Sequence, residues 1–263
     1  MSPGKASTTA RERARASLTA EIKEEARHQL AAVGAGALSL RAVARELGMV
    51  SSALYRYFPS KDDLLTALII DAYNAVGEVA ETAVRAAGPR PPRARWIAAC
   101  HAIRAWALAH PHEYALIYGS PVPGYRAPEA TIGPASRVPL ALISVLGEVP
   151  AGRTAGPFGR EAAEAGAGGG EGAGGGEGAG GGEGAGGEGT AVLAGQAAAV
   201  AAALLDGSVR PDVLLRGVLA WTQLFGMISF ELFGQFARTF EPADELFKYA
   251  VVQMGQSVGL LLT

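Results

Sequence analysis

At 263 residues the chain has room for one small and one medium domain, and its 49% apolar content, with eight Phe, seven Tyr and three Trp, is ample for a core. The single cysteine, Cys100, excludes an internal disulfide framework and any multi-cysteine metal site, and it fits a reducing, cytoplasmic location. Net charge is −2, but residues 1–61 hold ten Lys and Arg against five Asp and Glu while the remainder holds 13 against 20, so only the head suits a polyanion.

Residues 1–16 read as a flexible basic arm with no apolar run that could serve as a signal peptide. Helical spacing of Ile22, Ala26, Leu30 and Val33 predicts a helix over 17–33, stopped by the glycines at 34–36. A second helix is expected over 40–47, with Ser39 as N-cap and Gly48 ending it in the left-handed conformation. Ser51 is the expected cap of a short third helix with Leu54 and Phe58 inside, ended by Pro59. Ser60 then caps a long fourth helix, with Asp63 completing a shortened capping box and Leu64, Leu65, Leu68, Ile69 and Ala72 as its buried face.

After the Pro/Gly break at 86–92 a helix is expected over 93–110, then a short one from Pro111, a loop over 120–125 and a helical segment over 129–149 bent near Pro134 or Pro139. Residues 166–189 comprise 16 Gly, four Ala and four Glu, a composition with nothing to bury that predicts a disordered, weakly acidic tether. An alanine-rich helix over 190–206, a long apolar helix from Pro211 to about Phe240 and a last one over 243–262 complete an all-α fold. The apolar stretch 213–236 leaves 14 uncharged residues between Arg216 and Glu231, short of the roughly 20 a membrane span needs. It reads as a buried helix, and no membrane partner is expected.

Two short helices joined at Gly48, Met49 and Val50 form a helix-turn-helix arrangement. Val43, Ala44, Leu47 and Leu54 brace the pair against the first helix, so the outer face of the third helix projects toward a major groove. Ser51, Ser52, Tyr55 and Arg56 stand on that face and can reach base edges, while Tyr57 and Lys61 lie at its far end, placed for phosphates. The N-terminus of the second helix, with Ser39 and Arg41, offers a further phosphate contact. Arg11, Arg13 and Arg15 can either enter a minor groove as an arm or form a solvated tail.

The stretch SLRAVARELGM followed by SSALYRYFPSKDDLL resembles the TetR family of bacterial regulators over residues 17–70. The resemblance implies that Tyr55, Tyr57 and Lys61 contact DNA and that the protein binds a palindromic operator as a homodimer. AWALAHPHEYALIYG (105–119) and AWTQLFGMISFELFGQF (220–236) look like the TetR subgroup whose C-terminal domain is named for a Trp-His-Gly signature. Trp221 and Gly226 match it, Phe225 stands where the signature has His, and the Gly/Ala/Glu insert has no counterpart. The domains expected are therefore 17–62, which binds double-stranded DNA, and 63–263, a helical regulatory and dimerisation domain interrupted at 166–189.

Trp106, Tyr114, Tyr118, Trp221, Phe225 and Phe230 are the candidate lining of an apolar effector pocket. Leu214, Leu232, Phe233, Phe236, Phe247, Val251, Met254 and Leu261 are the candidate faces of an isologous interface. His110 and His112 flank Pro111, which turns them apart, so no metal is expected. Cys100 and His101, adjacent on a helix, point about 100° apart and make no dyad. No enzyme and no cofactor are expected. The function these readings favour is a ligand-released repressor, and the alternative is a constitutive DNA-binding protein whose second domain only dimerises.

Overall fold

The computed structural model describes residues 10–148, 184–205 and 209–260, and among the described residues regular structure is helical, with no strand. The helices are α1 (Ala10–Ala37), α2 (Leu40–Glu46), α3 (Ser51–Leu54), α4 (Lys61–Ala86), α5 (Pro92–Ala109), α6 (Pro111–Tyr118), a 3-10 turn (Glu129–Thr131), α7 (Ile132–Leu146), α8 (Gly184–Leu205), α9 (Pro211–Leu232) and α10 (Asp244–Ser257). The chain divides into two compact units, one from Met1–Gly77 and Ala105–Arg137, the other from Glu78–Arg104 and Val138–Thr263. Both units are discontinuous in sequence, and neither ends at residue 62, where the boundary is expected. Lys61–Gly77 of α4, the end of α5 and all of α6 belong with the head, and Leu116 of α6 with Val122 and Tyr125 of the loop after it pack against its core.

In the first unit α1 buries Ile22, Ala26 and Leu30 at four-residue spacing, and Gly34 breaks it with φ 75°. The helix begins at Ala10, not at residue 17, so the described part of the expected arm (10–16) is helical. Leu38, Val43, Leu54, Phe58, Leu64 and Leu68 close the core around it. Half-buried ion pairs from Lys23 and Arg27 to Asp71 (2.7 and 2.8 Å) and from Arg27 to Glu113 (3.6 Å) tie α1 to α4 and α6. Each such pair contributes up to about 1 kcal/mol.

In the second unit Trp96 is fully buried and its Nε1 donates to the Val251 carbonyl at 3.1 Å, which ties α5 to α10. Pro139 lies inside α7, where its ring removes one backbone donor. The insert departs from expectation at its end: residues 184–189 are the first turns of α8, while 166–183 lie outside the described residues. Once the alanine-rich body is helical, adding a residue gains a backbone bond, and propagation outweighs the glycine penalty of about 1 kcal/mol each.

Helix α9 stops at Leu232 and does not reach Phe240. Gly234 takes φ 77°, with its N–H bonded to the Glu231 carbonyl (3.3 Å) and the Gln235 N–H to the Phe230 carbonyl (2.8 Å), a Schellman stop. By length and composition alone α9 could cross a membrane. It buries Leu214, Gly217, Leu224, Phe225 and Ile228 within its own unit, however, as a core helix does.

Candidate nucleic-acid interface

Local chemistry shapes the α2–α3 pair. The Ser39 Oγ accepts from the Ala42 N–H at 3.4 Å. At the other end Gly48 (φ 63°) closes another Schellman stop, with Met49 N–H to Ala44 carbonyl at 2.8 Å and Gly48 N–H to Arg45 carbonyl at 3.1 Å. Val50, and not Ser51, is the N-cap of α3, with no side-chain bond. The four-residue helix continues as hydrogen-bonded turns through Phe58, whose N–H reaches the Leu54 carbonyl at 3.1 Å. Ser60 then accepts from the Asp63 N–H (3.1 Å) while its hydroxyl donates to the Asp63 carboxylate (2.6 Å), the reciprocal cap that opens α4.

With Leu54 fully buried beneath it, α3 turns Ser52, Tyr55 and Arg56 outward. Tyr55 is 42% exposed. Ser51 is half-buried on the same element and Arg41 is exposed on α2. Tyr57 and Lys61 sit differently from expectation. The Tyr57 ring packs partly on the core, with the Arg15 guanidinium 5.2 Å from its centroid, and the Lys61 ammonium donates to the Gly36 carbonyl at 2.6 Å. An ammonium has three donors, so this bond does not exhaust it. Arg15 is the residue sequence reasoning left unplaced. Extending the stripe of Leu18, Ile22 and Ala26 back by one turn puts it on the inward face, which was the available signal.

The six candidate pocket residues divide three and three between the units. In the first, Trp106 stacks on His110 at 5.3 Å, Tyr114 is fully buried, and Tyr118 lies 5.2 Å from Tyr114 and 5.9 Å from Tyr73. Burial pushes the Tyr118 hydroxyl above the ordinary tyrosine range, helped by Tyr73 and Tyr114. In the second, Trp221 and Phe225 are ring neighbours at 6.0 Å, and the Trp221 Nε1–H is buried with no acceptor among the described residues. Phe230 does not line an interior: it is 54% exposed on the opposite face of α9.

His110 directs Nδ1 to the Trp106 carbonyl at 2.9 Å, and no cluster of three metal-ligating groups occurs among the described residues. Cys100 is fully buried, which pushes its thiol far up and keeps it protonated. Of the interface residues, Leu214, Phe247, Val251 and Met254 are buried inside their own chain, which removes them as dimer contacts. Leu261 lies outside the described residues.

Residues 22–68 match the family described as bacterial regulatory proteins, tetR family, and residues 96–254 match the tetracyclin repressor-like C-terminal domain. The HTH-type transcriptional regulators Mb1846 of Mycobacterium bovis and Rv1816 of Mycobacterium tuberculosis are each 50% identical over 130 residues, 48% of this chain and 54% of theirs. The chain therefore spans about half the length of the curated relatives it matches. The crystal structure of SCO4313, described as a regulatory protein, aligns over 94% of this chain and 98% of its own, with 32% identity and a TM-score of 0.68. A protein of unknown function from Rhodococcus sp. RHA1 shares the fold at 22% identity over 90% and 93% of the two chains, TM-score 0.57. Proteins of this family regulate transcription and are not enzymes. With a family match over both the α2–α3 head and most of the helices that follow, the chain belongs to the TetR family of bacterial transcriptional regulators.

Proposed function

We propose that the chain binds a palindromic duplex operator as a homodimer in the cytoplasm, represses transcription there, and is released by a small, largely apolar effector. The observation that carries the reading is the outer face of α3, where Ser52, Tyr55 and Arg56 stand exposed on a helix braced by a fully buried Leu54. Tyr55, Arg56, Ser51 and Ser52 serve base edges, while Ser39, Arg41, Tyr57 and Lys61 serve phosphates. Two such faces about one DNA turn apart, roughly 34–36 Å, read the two halves of a palindrome.

A second copy accounts for the apolar surface of the second unit. Helix α8 exposes Val192, Leu193 and Val200, and α9 exposes Leu219 and Phe230 along one stripe that its C-cap residue Phe233 continues. An α8–α9 pair from each chain would bury these residues isologously. For the effector, Trp221 and Phe225 offer an apolar wall, and the Trp221 Nε1–H suits an acceptor on the ligand, since an unmet buried donor costs about 1–3 kcal/mol. Helix α4 contributes to both units in chain order. The effector must favour the released state, or nothing shifts.

The constitutive alternative draws on the tight burial of Trp106, Tyr114 and Phe225, which ordinary core residues share. Selection of duplexes from a random library by the full chain gives the operator, and a small-molecule thermal-shift screen repeated on the operator complex decides between the two. A compound that both stabilises the chain and weakens operator binding supports gating. DNA binding that no stabilising compound weakens favours the constitutive protein. On the selected duplex, Tyr55→Ala should lose about tenfold or more, as expected for one base-reading side chain worth about 1–3 kcal/mol. Lys61→Ala should weaken all sequences alike and flatten the salt slope by about one unit. Unchanged binding in both variants overturns the α3 assignment.

A further inference from the structure

The start of α1 is a helix whose inward face meets the end of the reading element. The Arg15 guanidinium lies 5.2 Å from the Tyr57 ring centroid and its Nη2 donates to the Arg56 carbonyl at 3.4 Å. A cation over an aromatic face attracts the ring quadrupole, so the two contacts hold the first turns of α1 against the last turn of the reading segment. Arg11 is one turn earlier, on the same stripe as Arg15 and Leu18, about 6 Å further along the axis. Arg13 is about 160° away from Arg15 around the helix. All three arginines are exposed.

We infer that the first turns of α1 are a second DNA-contacting element, in which Arg15 docks the helix on Tyr57 and Arg11 binds a backbone phosphate beyond the segment read by α3. The inference rests on the reading of α3 as the groove-entering helix. Three observations favour duplex phosphate as the occupant. The stripe is continuous with the α3 face through the Arg15 contacts. Residues 1–61 carry an excess of basic groups, ten against five. The element is a helix from Ala10, so it presents one face to the backbone and does not thread a groove as an extended arm would.

The two-sidedness of the helix supplies the test. Arg11→Ala and Arg13→Ala remove the same charge from the same exposed helix, and only the first should remove a contact. Binding of the full chain to its selected duplex is followed by fluorescence anisotropy at several salt concentrations, with helicity checked by circular dichroism. Arg11→Ala is expected to lower the slope of log affinity against log salt by about 0.9. Its deficit relative to the unchanged chain then shrinks about threefold between 50 and 200 mM salt. It should affect cognate and scrambled duplexes equally, whereas Arg13→Ala should leave the slope as it was. Equal effects of the two variants, or no effect of Arg11→Ala, overturn the inference while leaving the α3 reading intact. Failure of the unchanged chain to bind any duplex overturns both.

Discussion

Arg104 carries its charge into the interior of the second unit, 8% exposed. Its Nε and Nη2 donate to the two Glu231 oxygens at 2.7 and 2.5 Å, its Nη1 donates to Asp244 at 3.0 Å, and its guanidinium lies 4.9 Å from the Phe247 ring centroid. The forked pair with Glu231 keeps Arg104 firmly protonated, with Asp244 adding to the effect. Breaking one side of a buried pair leaves an uncompensated charge, so Glu231→Gln should cost about 3 kcal/mol in urea unfolding. Asp244→Asn, at an exposed carboxylate, should cost far less, and equal losses would show that burial is not the cause. His101 packs edge-on to Phe247 at 5.4 Å. Burial first, then Arg104 and Lys248, hold its imidazole below the ordinary value of 6.5. The native state therefore binds a proton less readily than the unfolded chain. Its stability is full above about pH 6.5 and falls as pH drops below that value. His101→Asn should flatten the change in urea midpoint between pH 7.5 and 5, and an identical pH profile in the variant would remove His101 as the cause.

At the scale of elements, both ends of α2, the end of the α3 segment and the start of α4 are written in residues that act on their own backbone. Ser39, Gly48, Pro59 and Ser60 each meet a local need, a cap, a positive φ or a blocked donor, and each of these boundaries is legible without knowing the fold. Gly48→Ala tests the point. Nothing stands within 4 Å of an added Cβ, so its cost is the left-handed backbone alone, about 1 kcal/mol in the thermal midpoint analysis. A neutral substitution would mean that the turn can relax. The end of α9 was illegible for a related reason. Gly234 lies inside the apolar run LFGQF, where hydropathy continues through the stop and hides it. The start of α8 was illegible because helix propagation from an alanine-rich body overrides local glycine preference.

For the whole molecule, the question is which apolar faces remain uncovered by the chain itself. Hydropathy ranked Phe247, Val251 and Met254 with the interface, yet all three are buried inside the second unit. Leu219 and Phe230 stay 59% and 54% exposed. On the proposed homodimer, Leu219→Glu is expected to shift the mass found by light scattering from two chains to one. Tyr249→Glu, at a residue 65% exposed on α10, should leave the mass unchanged. A Leu219→Glu protein that remains dimeric would move the interface off α9. By itself the sequence determined the helical class, the helix-turn-helix head with its caps at Ser39 and Ser60, and the exposure of Ser52, Tyr55 and Arg56, because these depend on residues within a few turns of one another. Only the tertiary structure decided that α6 completes the head, that Arg15 rests on Tyr57, that Arg104 meets Glu231 and which stripe of α9 faces out. Each of these depends on neighbours tens to more than a hundred residues apart, and no periodicity in a local window records which partner an apolar or charged face will find.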